Sequence, residues 1–198
     1  MEFRPLAVEG AWEVTPNQFP DPRGLFSEGF RADHLAEHIG HPMSVRQTNI
    51  SVSRAGAVRG VHYAAVPPSQ AKYVTAVHGV FLDVIVDIRV GSPTFGRWDT
   101  VRLDTVDRRA VYLSEGLGHA LICLEDGTTV YLCSEVYNPV LERTVTPLDP
   151  ALALPIPQGL VPILSERDTD APTLAVAAAA GLLPRYDECL AYRRSLEG

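Results

Sequence analysis

FLDVIVDIRV, residues 81–90, alternates by twos: Leu82, Val84, Val86, Ile88 and Val90 share one parity, and Asp83, Asp87 and Arg89 share the other. Successive side chains of an extended chain point to opposite faces, so this period reads as a half-buried strand with its apolar face on a core. Upstream, RQTNISVSR at 46–54 alternates differently. Gln47, Asn49, Ser51 and Ser53 form a polar row and Thr48, Ile50 and Val52 an apolar one, which suits a strand with a wet interior on one side and a packed sheet on the other. RRAVYLSE and TTVYLCSEVY add further strands, and GSPTFG and EDGT supply turns between them. Sixteen prolines and fifteen glycines are spread as punctuation between short apolar segments. An all-β body follows, a sandwich or small barrel with antiparallel pairing and room for a cavity.

Two regions break the pattern. RADHLAEHIG reads as a short helix ending at Gly40, and DAPTLAVAAAAGLLP as one with Asp170 near its N-cap, Pro172 in its first turn and Gly181 at its end. DECLAYRRSLEG reads as a C-terminal helix. The expected organisation is a single domain over residues 1–198, with a barrel core at about 40–150 and a helical region at about 170–198.

The 198 residues are 46% hydrophobic and 21% charged, enough for one sizeable core. A net charge of −7 argues against nucleic acid or an anionic membrane surface as partner, so any anionic ligand needs a local basic pocket. No apolar run approaches a bilayer span and MEFRPLAVEG lacks a signal-peptide pattern, which makes the cytoplasm the expected location. Cys123, Cys133 and Cys189 have neither disulfide nor zinc spacing and read as small buried hydrophobes.

RGVHYAAVPPSQAKYV, residues 59–74, holds the only lysine of the chain, Lys72, against sixteen arginines. An ammonium is compact and can sit against a developing oxyanion, where a planar guanidinium suits forked contacts. His62, ten residues earlier, is suited to abstract a proton near neutral pH. The bland alternatives are a structural histidine and a solvated lysine. Tyr131 shares a parity with Thr129, Cys133 and Glu135, which aims its hydroxyl at a polar interior; otherwise it is a strand filler. His119, in EGLGHAL, is either a substrate contact or a core histidine with one bonded nitrogen. Asp168, in SERDTD, either orients an imidazole or caps a turn, and Asp170 competes for both roles. His62, His78 and His119 would have to gather for a metal site, but no His-x-His pair is present. No P-loop, GxGxxG or nucleophile elbow appears.

Taken in order, DPRGLFSEGF, QTNISVS, RGVHY, PPSQAKYV, FLDVIVDIRVGSPTFGRW, YLSEGLGHAL, VYLCSEVYNP and LSERD resemble the cupin-fold dTDP-4-dehydrorhamnose 3,5-epimerase family, from about residue 3 to residue 185. The likeness is greatest to the branch that modifies antibiotic deoxysugars. It implies an all-β cupin jelly roll, two packed antiparallel sheets with short peripheral and C-terminal helices, acting as an isomerase without cofactor or metal. The implied reaction removes the proton beside the C4 ketone of a dTDP-4-keto-6-deoxyhexose, passes through an enolate and returns a proton to the opposite face at C3, C5 or both. The resemblance implies His62 as base, Asp168 as its carboxylate partner, Lys72 beside the enolate oxygen and Tyr131 as acid. His119 is implied as a substrate contact, and Arg23 and Arg59 as diphosphate ligands. Phe26, Glu28, Gln47, Asn49, Tyr137, Glu142 and Arg167 are implied to line the nucleotide and sugar pocket. A homodimer is also implied, with the N-terminal strand-like segment able to extend a partner's sheet. The sequence departs from the family at GHAL (118–121), in a one-residue deletion between His119 and Tyr131, and at PLDP (147–150); these bear on which carbon is processed. The alternatives on the same fold are a nucleotide-sugar ketoisomerase, a metal-dependent oxygenase or a non-catalytic sugar-nucleotide-binding protein.

Overall fold

The computed structural model describes residues 1–197. Among the described residues eleven strands and four helices are formed: β1 (Glu2–Pro5), β2 (Ala11–Thr15), β3 (Gln18–Asp21), β4 (Gly24–Ser27), α1 (Ala32–Ile39), β5 (Gln47–Ser53), β6 (Val58–Ala64), β7 (Lys72–Val86), β8 (Trp98–Leu103), β9 (Ala110–Leu113), β10 (Gly118–Cys133), β11 (Glu142–Thr144), α2 (Glu166–Thr169), α3 (Leu174–Ala179) and α4 (Tyr186–Leu196).

The two long strands organise everything else. β7 and β10 pair antiparallel along their whole length, with register shifts between Cys123 and Thr129. Those irregularities mark where the sheet folds over on itself. On one side of the fold, the first half of β7 pairs with β9 and the second half of β10 with β5, giving the order β1-β2-β9-β7-β10-β5. On the other side, the second half of β7 pairs with β8 and the first half of β10 with β6, giving β8-β7-β10-β6-β11. The result is a jelly-roll sandwich of two antiparallel layers whose edge strands are not hydrogen-bonded to each other, so the barrel is open. The N-terminal strands belong to this sheet, so it reaches back well before residue 40. β1 pairs with β2 of its own chain.

Between the layers lies a core to which Val74, Val111 and Leu113 of one layer and Phe81, Ile85, Val101, Leu103, Leu121 and Cys123 of the other contribute. Phe81, with 0% exposure, is worth about 1.5–3 kcal/mol by burial alone. A second cluster, including Val84, Val86, Ile88, Ala120 and Ile122, is covered on the outside by Leu174 and Ala177 of α3. A third packs Tyr73, Ala110 and Tyr112 under Leu35 of α1.

Residues 81–90 are therefore buried on both faces rather than one. Their apolar parity packs under α3, while Phe81 and Ile85 of the other parity enter the central core. Asp83, Asp87 and Arg89 are buried too. Arg89 Nε and Nη2 donate to the two oxygens of Asp87 at 2.9 Å each, beyond the end of β7. Their charges are tolerated because they are paired. The polar row of β5 faces inward as expected, but its apolar row does not meet a packed sheet: Ile50 is 72% and Val52 73% exposed.

The helices differ in detail. Gly40 ends α1 at φ 87°, donating its N–H to Ala36 O. The cap of α3 is Thr173, whose hydroxyl accepts from Val176 N–H, so Asp170 is not its N-cap and Pro172 precedes the helix. The SERDTD stretch, whose Asp168 reads from sequence as a turn or helix-capping residue, forms the short α2. Among the described residues no helix is long and apolar enough to cross a membrane.

Candidate active site

The jelly roll encloses a cavity of about 220 Å³ that opens between the two layers. β5 contributes Gln47, Asn49 and Ser51, β6 contributes Arg59 and His62, and β7 contributes Lys72 and Val74. β10 contributes His119, Leu121 and Tyr131, and β11 contributes Glu142. Gln70, Tyr137 and Arg167 complete the lining.

Register explains which side chains meet. Tyr131 stands opposite Asn49 on one neighbour and Val74 on the other, and Cys133 opposite Gln47 and Lys72. Alternation then sends Gln47, Asn49, Tyr131 and Lys72 inward from one layer. In the other layer His119 is the cross-strand partner of His62. His62 and Tyr131 thus line one cavity from opposing layers.

Close approach at β6 depends on Gly60, with φ 129°. A Cβ there would lie 2.3 Å from the carbonyl oxygen of His119. Only glycine lets the two backbones come together beside His62.

His62 Nε2 donates to Asp168 Oδ1 at 2.7 Å. The carboxylate side chain is 3% exposed and the imidazole 29%, its open part facing the cavity. Asp168 is fixed from behind. Ser165 caps α2, its hydroxyl donating to Asp168 Oδ2 at 2.9 Å and accepting from Asp168 N–H at 3.2 Å. The sequence Ser-x-x-Asp before a helix is the capping pattern that makes this possible. Capping the turn and orienting the imidazole are therefore one arrangement, and Asp170, exposed at the end of α2, takes no part. With Nε2–H given to the carboxylate, the lone pair of the ring lies on Nδ1. Desolvation lowers the His62 pKa below the ordinary histidine value; Asp168 opposes this, and the positive charges of His119 and Lys72 reinforce it. Burial alone would raise Asp168, but the hydrogen bonds from His62 and Ser165 outweigh it and hold the carboxyl below its usual range.

Tyr131 is raised above its ordinary value by burial and by the neighbouring Cys133 and Glu142, so its hydroxyl is retained as a donor throughout the neutral range. His119 Nδ1 donates to Asp83 Oδ1 at 3.0 Å, with Asp83 fully buried. His119 is thus both a bonded core histidine and a cavity wall. Lys72 is 5% exposed. Among the described residues neither it nor Arg59 or Arg167 forms an ion pair with a carboxylate. Three cations without an ion-pair partner, set against the one carboxylate of Glu142, in one cavity of a protein with net charge −7 make a site for an anionic ligand.

The remaining expected residues divide. Gln47 Oε1 accepts from Tyr137 N–H at 2.8 Å and its amide donates to Asn49 Oδ1 at 2.8 Å, so the three are fixed together. Arg59 Nε donates to Ser53 Oγ at 2.9 Å. Arg23, Phe26 and Glu28 are not brought to this cavity. Arg23 and Phe26 lie on or at the turn of the β3–β4 hairpin and Glu28 just after it; Arg23 pairs with Asp21, and Phe26 is 64% exposed. His78 is exposed, so the three histidines do not gather, and among the described residues no three His, Cys, Asp or Glu side chains converge as a metal-binding set. Sequence reasoning overlooked Gln70, Ser51 and Asp83. Ser51 sits in the polar row already recognised, and Asp83 was visible as a carboxylate amid apolar residues.

Fold and cavity together define a class: a cupin-type jelly roll with a cationic cavity lined by titratable side chains from both layers. The chain belongs to the dTDP-4-dehydrorhamnose 3,5-epimerase family, whose sequence model matches residues 5–176, and is accordingly an isomerase that epimerises dTDP-linked keto-deoxysugars. It is 55% identical to a dTDP-4-dehydrorhamnose 3-epimerase of Streptomyces niveus, covering 96% of this chain and 92% of that one. It is 54% identical to a dTDP-4-dehydrorhamnose 3,5-epimerase of Mycolicibacterium smegmatis, covering 99% and 97%. Its structure is similar, with a TM-score of 0.95, 47% identity and 98% of each chain covered, to ChmJ, a 3′-monoepimerase from Streptomyces bikiniensis solved in complex with dTDP-quinovose.

Proposed function

We propose that this chain epimerises a dTDP-4-keto-6-deoxyhexose at C3 by cofactor-independent proton transfer, with His62 as base and Tyr131 as acid. The observation that carries the reading is the lining of one cavity by His62 and Tyr131 from opposing layers, with Lys72 buried in its wall. Inversion needs removal and return of the proton on different faces; one group doing both would restore the starting configuration. A ketone's α-hydrogen is a weak acid, so the enolate must be met as it forms. A preorganised ammonium is typically worth about 3–4 kcal/mol in that role. Asp168 holds the tautomer that leaves Nδ1 basic, and Arg59 and Arg167 receive the diphosphate. C3 is the position common to the names of both relatives above; inversion at C5 is a further outcome of the same chemistry.

The test is incubation with dTDP-4-keto-6-deoxyglucose in deuterium oxide, followed by NMR of the sugar. Deuterium at C3 with inverted configuration is expected, and exchange at neither C3 nor C5 would refute the assignment.

The same reading includes a homodimer in which the β3–β4 hairpin of one protomer completes its partner's cavity. Arg23, Phe26 and Glu28 are expected at the ligand yet stand away from their own cavity, and the exposed Ile50 and Val52, with Val77 two strands away, form an apolar outer surface. Mass in solution should be twice that of the 21.6 kDa chain. Phe26→Ala should weaken dTDP binding without altering fold, and a monomer with full activity would overturn the arrangement.

A further inference from the structure

The segment joining β6 to β7 delivers Gln70 and Lys72 into the cavity, and its last part is buried: Ser69, Gln70, Ala71 and Lys72 are all less than one-tenth exposed. It has no strand partner of its own before Lys72, so its backbone groups need other partners. They find them in the residues that follow β10. Ala71 N–H donates to Ser134 Oγ at 2.8 Å, and Ser134 N–H returns a bond to Ala71 O at 3.0 Å. The Lys72–Cys133 pair ends the ladder; the Ser134 hydroxyl stands in for the next rung, where the chain leaves the sheet. Gln70 Nε2 donates to the carbonyl of Glu135 at 2.7 Å, and Gly116 N–H donates to Ser69 Oγ at 3.1 Å. Of these, the Ser134 hydroxyl bond acts on the Gln70–Ala71 peptide, and the Ser134 N–H bond on the Ala71–Lys72 peptide that follows it.

We propose that Ser134 is a positioning residue for the proton-transfer reaction, its hydroxyl fixing the Gln70–Ala71 peptide, one residue before Lys72, so that the lysine ammonium is held in the catalytic cavity. The inference rests on the reading of Lys72 given above. Without the hydroxyl, Ala71 N–H is a buried donor with no acceptor, a condition the chain relieves by moving. A misplacement of about 1 Å is sufficient to cost roughly 10²-fold in rate.

Ser134→Ala, Ser134→Thr, Lys72→Met and the double variant Ser134→Ala/Lys72→Met separate the possibilities, assayed by deuterium exchange and by pH–rate profiles, with melting temperatures as a check on folding. Ser134→Ala should lower kcat by about 10- to 100-fold with little change in KM. Its acid limb should move to higher pH, because the Lys72 charge helps depress the pKa of His62 and a displaced ammonium does so less. Ser134→Thr, which keeps the hydroxyl, should restore most of kcat. In the Lys72→Met background Ser134→Ala should cause no further loss, the coupling expected of two residues acting as one. Wild-type kcat in Ser134→Ala overturns the proposal, as does an equal loss in both backgrounds with an unmoved acid limb, which marks a purely structural serine. Wild-type activity in Lys72→Met instead overturns the role of the lysine, and with it the need to position it.

Discussion

His62 Nε2–H donates a hydrogen bond to Asp168 Oδ1 at 2.7 Å, and Ser165 holds the other oxygen of that carboxylate at 2.9 Å. Every oxygen of Asp168 is committed, so the imidazole has one orientation and one tautomer. The folded pKa of His62 lies below the ordinary value because burial, His119 and Lys72 outweigh Asp168. Protonation therefore favours the unfolded chain. This contribution to stability is complete above about pH 6.5 and is lost as pH falls through the folded pKa.

The acid limb of kcat/KM should accordingly fall below about pH 6.5. Asp168→Asn removes the interactions that favour the imidazolium, so its limb should shift to still lower pH while the plateau drops about 10²-fold or more. A limb that moves upward would mean that Asp168 does not stabilise the protonated base. pH–rate profiles of the two proteins make the comparison.

Tyr131 and His62 approach from separate layers, which separates their mutant phenotypes. His62→Ala should lose both deuterium exchange and inversion. Tyr131→Phe should still take up deuterium through His62 but return it to the original face, with inverted product reduced about 10²- to 10⁴-fold. NMR of the sugar recovered from deuterium oxide distinguishes retained from inverted label. Loss of all exchange in Tyr131→Phe would place the phenol earlier in the reaction.

Asp83 is fully buried and receives His119 Nδ1–H at 3.0 Å. Asp83→Ala should leave that donor unsatisfied and cost about 1–3 kcal/mol in urea unfolding. Asp83→Asn, which retains an acceptor oxygen, should recover part of the loss. Equal stability of the two variants would show that the hydrogen bond is energetically idle.

Gly60 tests the fit of β6 against β10. Gly60→Ala places a methyl group 2.3 Å from the His119 carbonyl oxygen at a φ that disfavours any side chain. Thermal unfolding should show a loss of about 2 kcal/mol or more, and exchange activity should fall as His62 shifts with its strand. A wild-type melting temperature and rate would mean that β6 can withdraw freely.

The alternation in 81–90 and 47–53 made the strands and the wet interior legible, because period two is a local property. The layer arrangement was less so. β7 runs unbroken from Lys72 to Val86, and nothing local distinguishes one long folded-over strand from two short ones. For the same reason the polar parity of 81–90 read as the uncovered face of a half-buried strand, when Phe81 and Ile85 of that parity enter the central core and Asp83 bonds His119 on the neighbouring strand of its own layer. Ile50 and Val52 were read as packed because apolar residues normally are; the folded chain leaves them bare. His62, Lys72, Tyr131 and Asp168 stood out as candidates from residue type and family pattern, and the fold gathers them at one cavity. Gln70, Asp83 and Ser134 make hydrogen bonds between segments distant in sequence, which only the folded chain brings together.

The cationic cavity predicts how binding responds to charge and salt. Arg59, Lys72 and Arg167 line it without carboxylate partners, so their charge is available to a diphosphate. Arg167→Gln and Arg59→Gln should each weaken dTDP binding by about tenfold to a hundredfold, the value of a hydrogen bond to a charged group. Added salt should weaken wild-type binding of dTDP, and less so in either variant, since screening acts on the charges that remain. Thymidine, which carries no phosphate, should bind weakly and with little salt dependence in all three proteins. Calorimetric titration at two ionic strengths supplies the comparison. If dTDP affinity is unchanged in both variants, the diphosphate does not lie between Arg59 and Arg167, and the orientation of the sugar toward His62 must be assigned anew.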